Sequence, residues 1–261
     1  MRISLIQTVL SWESPAKNYL RLEGVLQKLE ATDLIVLPEM FTTGFTMNSD
    51  AAELFSESSE TLNWMRKWSK DLNAVVCGSV AFKDNDGLYN RLLWVRPDGT
   101  FSHYDKRHLF TFAGEEKTYL KGRARIIEHW KGWNICPLVC YDLRFPVWSR
   151  NRHQHGAPEY DVLIYVANWP SARREAWSTL LKARAIENQC YVAGVNRVGT
   201  DHKENIYTGD SALIDAKGAV LWTQSDVAGV CTIELNKSEL DQYREQFPVL
   251  KDGDEFVISK Q

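Results

Sequence analysis

The chain has 261 residues, 44% of them hydrophobic and 25% charged, with a formal net charge of −3. That is enough apolar material for a large core, and no basic surplus marks a nucleic-acid or anionic-membrane partner. No apolar run approaches the roughly 20 residues of a membrane-spanning helix. Five cysteines (Cys77, Cys136, Cys140, Cys190 and Cys231) lie in apolar segments without paired spacing. This is the usage of a reducing compartment, so a cytoplasmic protein with small-molecule partners is expected. No Pro/Gly/Ser-rich linker divides the chain, and residues 1–261 read as one domain.

Arg2 to Thr8 is broken by polar residues and reads as a first strand. Ser14-Pro15 opens a helix, with Ser as N-cap and Pro at the first helical position. Ala16, Tyr19, Leu22, Leu26 and Leu29 follow at helical spacing, and a strand runs to Leu37. From Ser59 a second helix sets Leu62, Met65, Trp68 and Leu72 on one side, before a strand from Ala74 to Val80. The turn clusters Asp84-Asn85-Asp86-Gly87 and Arg96-Pro97-Asp98-Gly99 then flank a strand from Leu88 to Val95, which predicts antiparallel hairpins.

Asn134 to Val139 is an apolar strand ending at Cys140, followed by a short helix over 147–152 and a buried strand from Tyr160 to Val166. Ser171 is placed to cap a helix from Ala172 to Asn188. Strands follow at Cys190–Val195, Ser211–Ile214, Ala219–Thr223 and Val230–Leu235, and Asn236 starts a last helix. Strands exceed what one ordinary sheet holds, and the helices fall in two pairs. The count fits an α/β chain with two mixed β-sheets packed face to face, a four-layer α-β-β-α sandwich, with a doubly wound single sheet as the alternative.

Three segments end in chemistry. The apolar run Leu34-Ile35-Val36-Leu37-Pro38 stops at Glu39, the alternating segment before Tyr104-Asp105 leads to Lys106, and the strand before Cys140 stops at a thiol. Singly, a strand-end Glu is a solvated loop residue, a Lys-Arg-His cluster is a wet surface, and a Cys is packing. Together they make a nucleophile with a base and a charge. A free thiol has a pKa near 8.5, and a nearby ammonium raises the thiolate fraction while a carboxylate accepts the proton. Lys106 and the backbone N–H of Tyr141 could then hold the oxyanion formed when sulfur attacks an amide. His108, two residues beyond Lys106, is expected to make structural hydrogen bonds. A zinc site at Cys136 and Cys140 is disfavoured, because in an extended strand their Cα atoms are about 13 Å apart.

Pro38-Glu39 with Gly44-Phe45, Lys106 within Lys-Arg-His-Leu-Phe, and Cys140-Tyr141-Asp142-Leu143-Arg144-Phe145-Pro146 resemble the three signature regions of the nitrilase (carbon-nitrogen hydrolase) superfamily. Gly114-Glu115 ahead of Gly122, Ala167-Asn168-Trp169-Pro170, Lys182 to Gln189, Asn196-Arg197-Val198-Gly199 and Gly209-Asp210-Ser211 extend the resemblance over nearly the whole chain. The details look most like the omega-amidase branch, which hydrolyses the terminal amide of 2-oxoglutaramate and related 2-oxo acid amides. Val147 departs from the pattern, since many members carry a glutamate there.

The resemblance implies the four-layer fold, a Glu39-Lys106-Cys140 triad, a thioester intermediate, no cofactor, and a homodimer. It also makes Glu115, rather than the adjacent Glu116, the second active-site glutamate. Trp169 and Asn168 leave a buried strand beside Cys140 and are expected in the pocket. A 2-oxo acid amide carries a carboxylate, for which Arg173 is the expected partner and Arg144 the rival, unless Arg144 holds the turn after Cys140 by an ion pair. Other amide, nitrile and N-carbamoyl hydrolases share the triad, and a non-catalytic binding protein is the alternative outside the enzymes.

Overall fold

The computed structural model describes residues 1–154 and 156–258. The chain opens with strand β1 (Arg2–Gln7), helix α1 (Pro15–Leu26), and strands β2 (Leu34–Val36) and β3 (Glu53–Leu54). Helix α2 (Glu60–Leu72) leads into β4 (Val75–Asp84), β5 (Gly87–Val95) and β6 (Phe101–Asp105). Then come β7 (Glu128–Trp130), β8 (Trp133–Val139), α3 (Pro146–Ser149), and a small ribbon of β9 (His153–Gln154) with β10 (Ala157–Pro158). The last part runs β11 (Val162–Ala167), α4 (Arg174–Asn188), β12 (Tyr191–Asn196), β13 (Val198–Thr200), β14 (Ile206–Ile214), β15 (Val220–Ser225), β16 (Gly229–Glu234) and α5 (Lys237–Gln246).

Two mixed sheets result. The first has the order β16-β1-β2-β4-β5-β6, with β3 beside β4, and the second β13-β14-β12-β11-β8-β7, with β15 beside β14. In the first, β1, β2 and β4 are parallel and the remaining pairs along that order are antiparallel. In the second, β8, β11 and β12 are parallel. The period of two along a strand decides what each face meets. Leu34 and Val36 on β2, with Leu92 and Trp94 on β5, join the core between the sheets, where Ile135 and Val139 of β8 also lie. Ile35, Leu93 and Val95 point the other way, to Tyr19, Leu22 and Leu26 of α1 and Leu62, Met65 and Trp68 of α2. On the far side, Trp177, Leu181 and Ala185 of α4 and Leu240 of α5 complete the fourth layer. No helix among the described residues is long and apolar enough to cross a membrane.

Several local expectations give way to tertiary context. Ala16 is exposed and Asn18 is buried in its stead, because the Asn18 side chain bonds the Ser11 backbone and the Thr42 carbonyl at the start of the helix. Leu29 lies beyond the end of α1, though it still packs on the same cluster. Ser14 and Ser59 occupy N-cap positions without capping through their side chains; at α2 the Glu53 carboxylate accepts the Thr61 N–H instead. Ser171 begins a 3-10 turn (Ser171–Arg173), and α4 starts only at Arg174. The helix expected over 147–152 ends at Ser149. Asn236 does cap α5, accepting the Glu239 N–H at 3.2 Å.

Gly194 on β12 lets α4 approach the second sheet. A Cβ there would stand 2.5 Å from Leu181 Cδ1 and 2.9 Å from Trp177 Cζ2, both from α4. Gly194→Ala is therefore expected to destabilise the protein by about 1–3 kcal/mol through overpacking. Urea unfolding checks this, and an unchanged midpoint would show that α4 can shift freely.

Candidate active site

Two sheets each bring groups to one cavity of about 440 Å³. Glu39 lies in the loop after β2 and Lys106 directly follows β6, so the first sheet supplies both charges. Cys140 follows β8 and Asn168 follows β11, so the second sheet supplies the thiol and its neighbour. All four line the cavity, together with Tyr141, Arg144, Trp169 and Arg173. Glu115 sits behind Lys106 and is wholly buried, whereas Glu116 is exposed.

The charges are tightly arranged. Lys106 Nζ donates to Glu39 Oε1 at 2.9 Å and to the Glu115 oxygens at 3.0 and 2.9 Å. Its pKa is held above the ordinary lysine value: burial disfavours the ammonium, but the Glu115 and Glu39 carboxylates outweigh it. Glu39 Oε2 accepts the Asn168 backbone N–H at 2.7 Å, and the Asn168 side chain returns a bond to the Glu39 carbonyl. Each oxygen of Glu39 is thus fixed by a different sheet.

Asn90 is the site residue that the sequence did not single out. Its Nδ2 donates to Glu39 Oε1 at 2.8 Å and to Glu115 Oε1 at 3.3 Å, joining both carboxylates from strand β5. A signal did exist, since Asn90 shares the face of Leu92 and Trp94, where an amide has no business without polar partners. Gly122 has an equally local reason. Its N–H donates to the Lys106 carbonyl at 2.8 Å, and a Cβ on it would fall 1.9 Å from the Asp105 carbonyl oxygen.

Cys140 starts a 3-10 turn (Cys140–Arg144) with its backbone at φ +43°. That left-handed conformation is costly for a residue with a side chain, and here it turns the strand sharply. The turn is held by Asp142, whose Oδ2 accepts the Val139 N–H, and by Arg184 of α4, which donates to the Leu143 carbonyl at 2.5 Å. Arg144 takes no part in holding it. Among the described residues Arg144 has no ion pair, and its guanidinium lies over the Trp169 ring at 4.8 Å. Arg173 likewise has no carboxylate partner and lies over Phe110 and Phe112, at 5.2 and 5.6 Å. Trp169 is fixed through its indole N–H to the Arg173 carbonyl.

One electrostatic expectation reverses. Lys106 was expected to raise the thiolate fraction of Cys140, but burial and the Glu39 carboxylate push the thiol well above its ordinary value, and Lys106 offsets this only in part. The physical reason is that the ammonium is already neutralised by two carboxylates. Cys140 rests as a thiol, its Sγ 4.0 Å from the Asn168 carbonyl oxygen that it faces, and the proton has to leave as the sulfur attacks. The other four cysteines are buried and line no part of this cavity.

Replacing the ammonium tests the arrangement. Burial lifts the Glu115 pKa, Lys106 offsets part of this, and Glu39 adds to it. Without Lys106 the two carboxylates face one another unpaired, so Lys106→Met is expected to lose about 3–5 kcal/mol at pH 8. A carboxyl raised further in the folded state binds its proton more tightly folded than unfolded. The variant's stability therefore falls as pH rises through that folded value, and its deficit against the parent should shrink at pH 5. Urea unfolding at both pH values measures this, and an equal deficit at both would contradict it.

Known proteins resemble this chain in sequence and in fold. The carbon-nitrogen hydrolase family matches residues 2–245. The chain is 48% identical to omega-amidase YafV of Yersinia enterocolitica, over 99% of this chain and 98% of that one. It is 34% identical to 2-oxoglutaramate amidase of Bacillus subtilis, over 96% of each. A CN-hydrolase superfamily protein of Xanthomonas campestris, solved with an arsenic adduct in its active site, has a TM-score of 0.96 at 45% identity and 99% coverage of both chains. Saccharomyces cerevisiae Nit3 shares the fold, with a TM-score of 0.84 at 21% identity over 95% of this chain and 94% of that one. With its sandwich of two sheets and a match spanning nearly its whole length, this chain belongs to the carbon-nitrogen hydrolase family, in the branch that contains the omega-amidases.

Proposed function

We propose that the protein is an omega-amidase that hydrolyses the terminal amide of a small 2-oxo acid amide, such as 2-oxoglutaramate or 2-oxosuccinamate, to the acid and ammonia. The observation that carries this reading is the meeting of a thiol, a carboxylate and an ammonium in one cavity that also holds two guanidinium groups without carboxylate partners among the described residues. The similarity to omega-amidase YafV over nearly the full length supports the same reading.

The mechanism follows from the resting protonation. Glu39 takes the Cys140 proton as the sulfur attacks the amide carbon, and the carbonyl oxygen becomes an oxyanion near Lys106 Nζ and the Tyr141 N–H. Tyr141 stands in the first turn of a helical segment, where N–H groups lack helical acceptors. Glu39 returns the proton to the nitrogen, the C–N bond breaks, ammonia leaves, and a thioester remains. Water then gives a proton to Glu39 and attacks the thioester carbon. The acid departs, and Cys140 recovers its proton. Glu115 keeps Lys106 charged and in place, and no metal or organic cofactor is required. Asn168 and Trp169 shape the wall beside the sulfur. The proposal includes a homodimer acting in the cytoplasm, which five unpaired cysteines suit.

Cys140→Ala is expected to abolish ammonia release from 2-oxoglutaramate with thermal unfolding near that of the parent. A panel with glutamine, a simple nitrile and an N-carbamoyl compound reads the substrate class in the parent, and substantial activity in the alanine variant would end the proposal. Arg173→Ala should lower kcat/KM for 2-oxoglutaramate relative to a neutral amide by about tenfold to a hundredfold, the worth of a hydrogen bond to a charged group. An unchanged ratio would move the carboxylate to Arg144.

A further inference from the structure

The geometry points to Asp142 and His108 as positioning residues that hold the lysine-bearing segment of the first sheet against the cysteine-bearing turn of the second. The inference rests on the amidase mechanism above and extends it to two residues that do not line the cavity.

Asp142 is fully buried and accepts four donors from three places. Its Oδ1 takes the His108 backbone N–H at 3.0 Å and faces His108 Nδ1 at 2.8 Å. The Oδ2 atom takes the Tyr104 hydroxyl at 2.7 Å and the Val139 N–H at 3.1 Å. Tyr104 and His108 flank Lys106 by two residues on either side, and Val139 precedes Cys140. One carboxylate therefore links both sides of the reaction centre. The tie is doubled at Tyr104, whose hydroxyl also accepts the Arg107 N–H at 3.1 Å and the Trp148 indole N–H at 2.9 Å. His108 lies flat on Phe145, with ring centroids 3.8 Å apart and planes 6° from parallel. With a carboxylate as its partner, Nδ1 carries the proton.

The physical demand for such a tie is specific. Lys106 is fixed to Glu39 and Glu115 within the first sheet, but the oxyanion needs Lys106 and the Tyr141 N–H at a set separation across two sheets. Side-chain packing between sheets tolerates small slides, whereas a charged acceptor with four donors does not. Loss of the tie should thus impair stabilisation of the oxyanion more than it impairs the thiol or the binding of substrate.

Two variants separate this from a packing role. His108→Phe keeps the stack on Phe145 and loses the Nδ1–H donor, whereas His108→Asn loses the stack and puts an amide N–H where Nδ1 stood. Hydrolysis of 2-oxoglutaramate, thiolation of Cys140 by methyl methanethiosulfonate, and thermal unfolding are measured for both. Thiolation needs the sulfur but forms no tetrahedral oxyanion. Expected for His108→Phe is a kcat fall of about tenfold to a hundredfold, as for a misplacement of about 1 Å, with KM and the thiolation rate within about twofold of the parent. His108→Asn should recover much of kcat. The inference is overturned if kcat is unchanged in His108→Phe, if kcat and thiolation fall together, or if the asparagine variant is the less active of the two. Should His108→Phe not fold, kcat against thiolation in His108→Asn and Asp142→Asn decides: near-parental kcat in Asp142→Asn overturns the inference, and a selective kcat loss there with high activity in His108→Asn supports it. The parent's own turnover of 2-oxoglutaramate is read separately, so an inactive parent counts against the amidase reading and not against the tie.

Discussion

An ammonium held between two buried carboxylates is the interaction on which the site depends. Lys106 is nearly inaccessible, as are Glu39 and Glu115, so none of the three can rely on water to moderate its charge. An isolated charge at such depth would neutralise itself by gaining or losing a proton. Here the lysine remains charged because its two partners remain close, and the Asn90 amide keeps those partners from separating. Burial, with the excess of negative charge added to it, then explains the state of Cys140, which holds its proton near Glu39. Base and nucleophile are ready for a transfer that occurs only when an electrophile arrives.

The sandwich supplies what this cluster requires. Strand ends are rigid points: Glu39 leaves the central strand β2 and Cys140 leaves β8, paired on both sides, whereas Lys106 leaves the edge strand β6 and is fixed by its two carboxylates. Close approaches at Gly122 and Gly194 remove the slack that a side chain would introduce, one behind Lys106 and the other beneath α4. The sharp turn at Cys140 then lifts the thiol out of the sheet, with Arg184 and Asp142 bracing the turn from opposite sides.

Much of this was legible in the chain, for a physical reason. An apolar run that stops abruptly at one ionisable residue marks a buried strand delivering that residue to its mouth, which is how Glu39 and Cys140 stand out. The alternation of Leu34, Ile35 and Val36 carried the two-sided burial that a sandwich needs. Asn90, Asp142 and Arg184 were given no role of their own, because each acts on partners distant in sequence, and only Asn90 left a local trace, as an amide on an apolar strand face. The serine caps failed for the same cause: at α2 a carboxylate from elsewhere took the place of the hydroxyl. The state of the thiol also lay beyond the sequence, since it depends on how deeply the sulfur is buried and on how many carboxylates surround one lysine.

The division of the reacting groups between two sheets has a consequence for the chain before it is complete. While the second sheet is absent, the carboxylates and lysine sit in an open half-site with no sulfur near them. A newly formed second sheet alone would offer a thiol lacking its proton acceptor. Hydrolysis through this cluster begins only when the two halves meet, so the assembly of the core also completes the reaction centre.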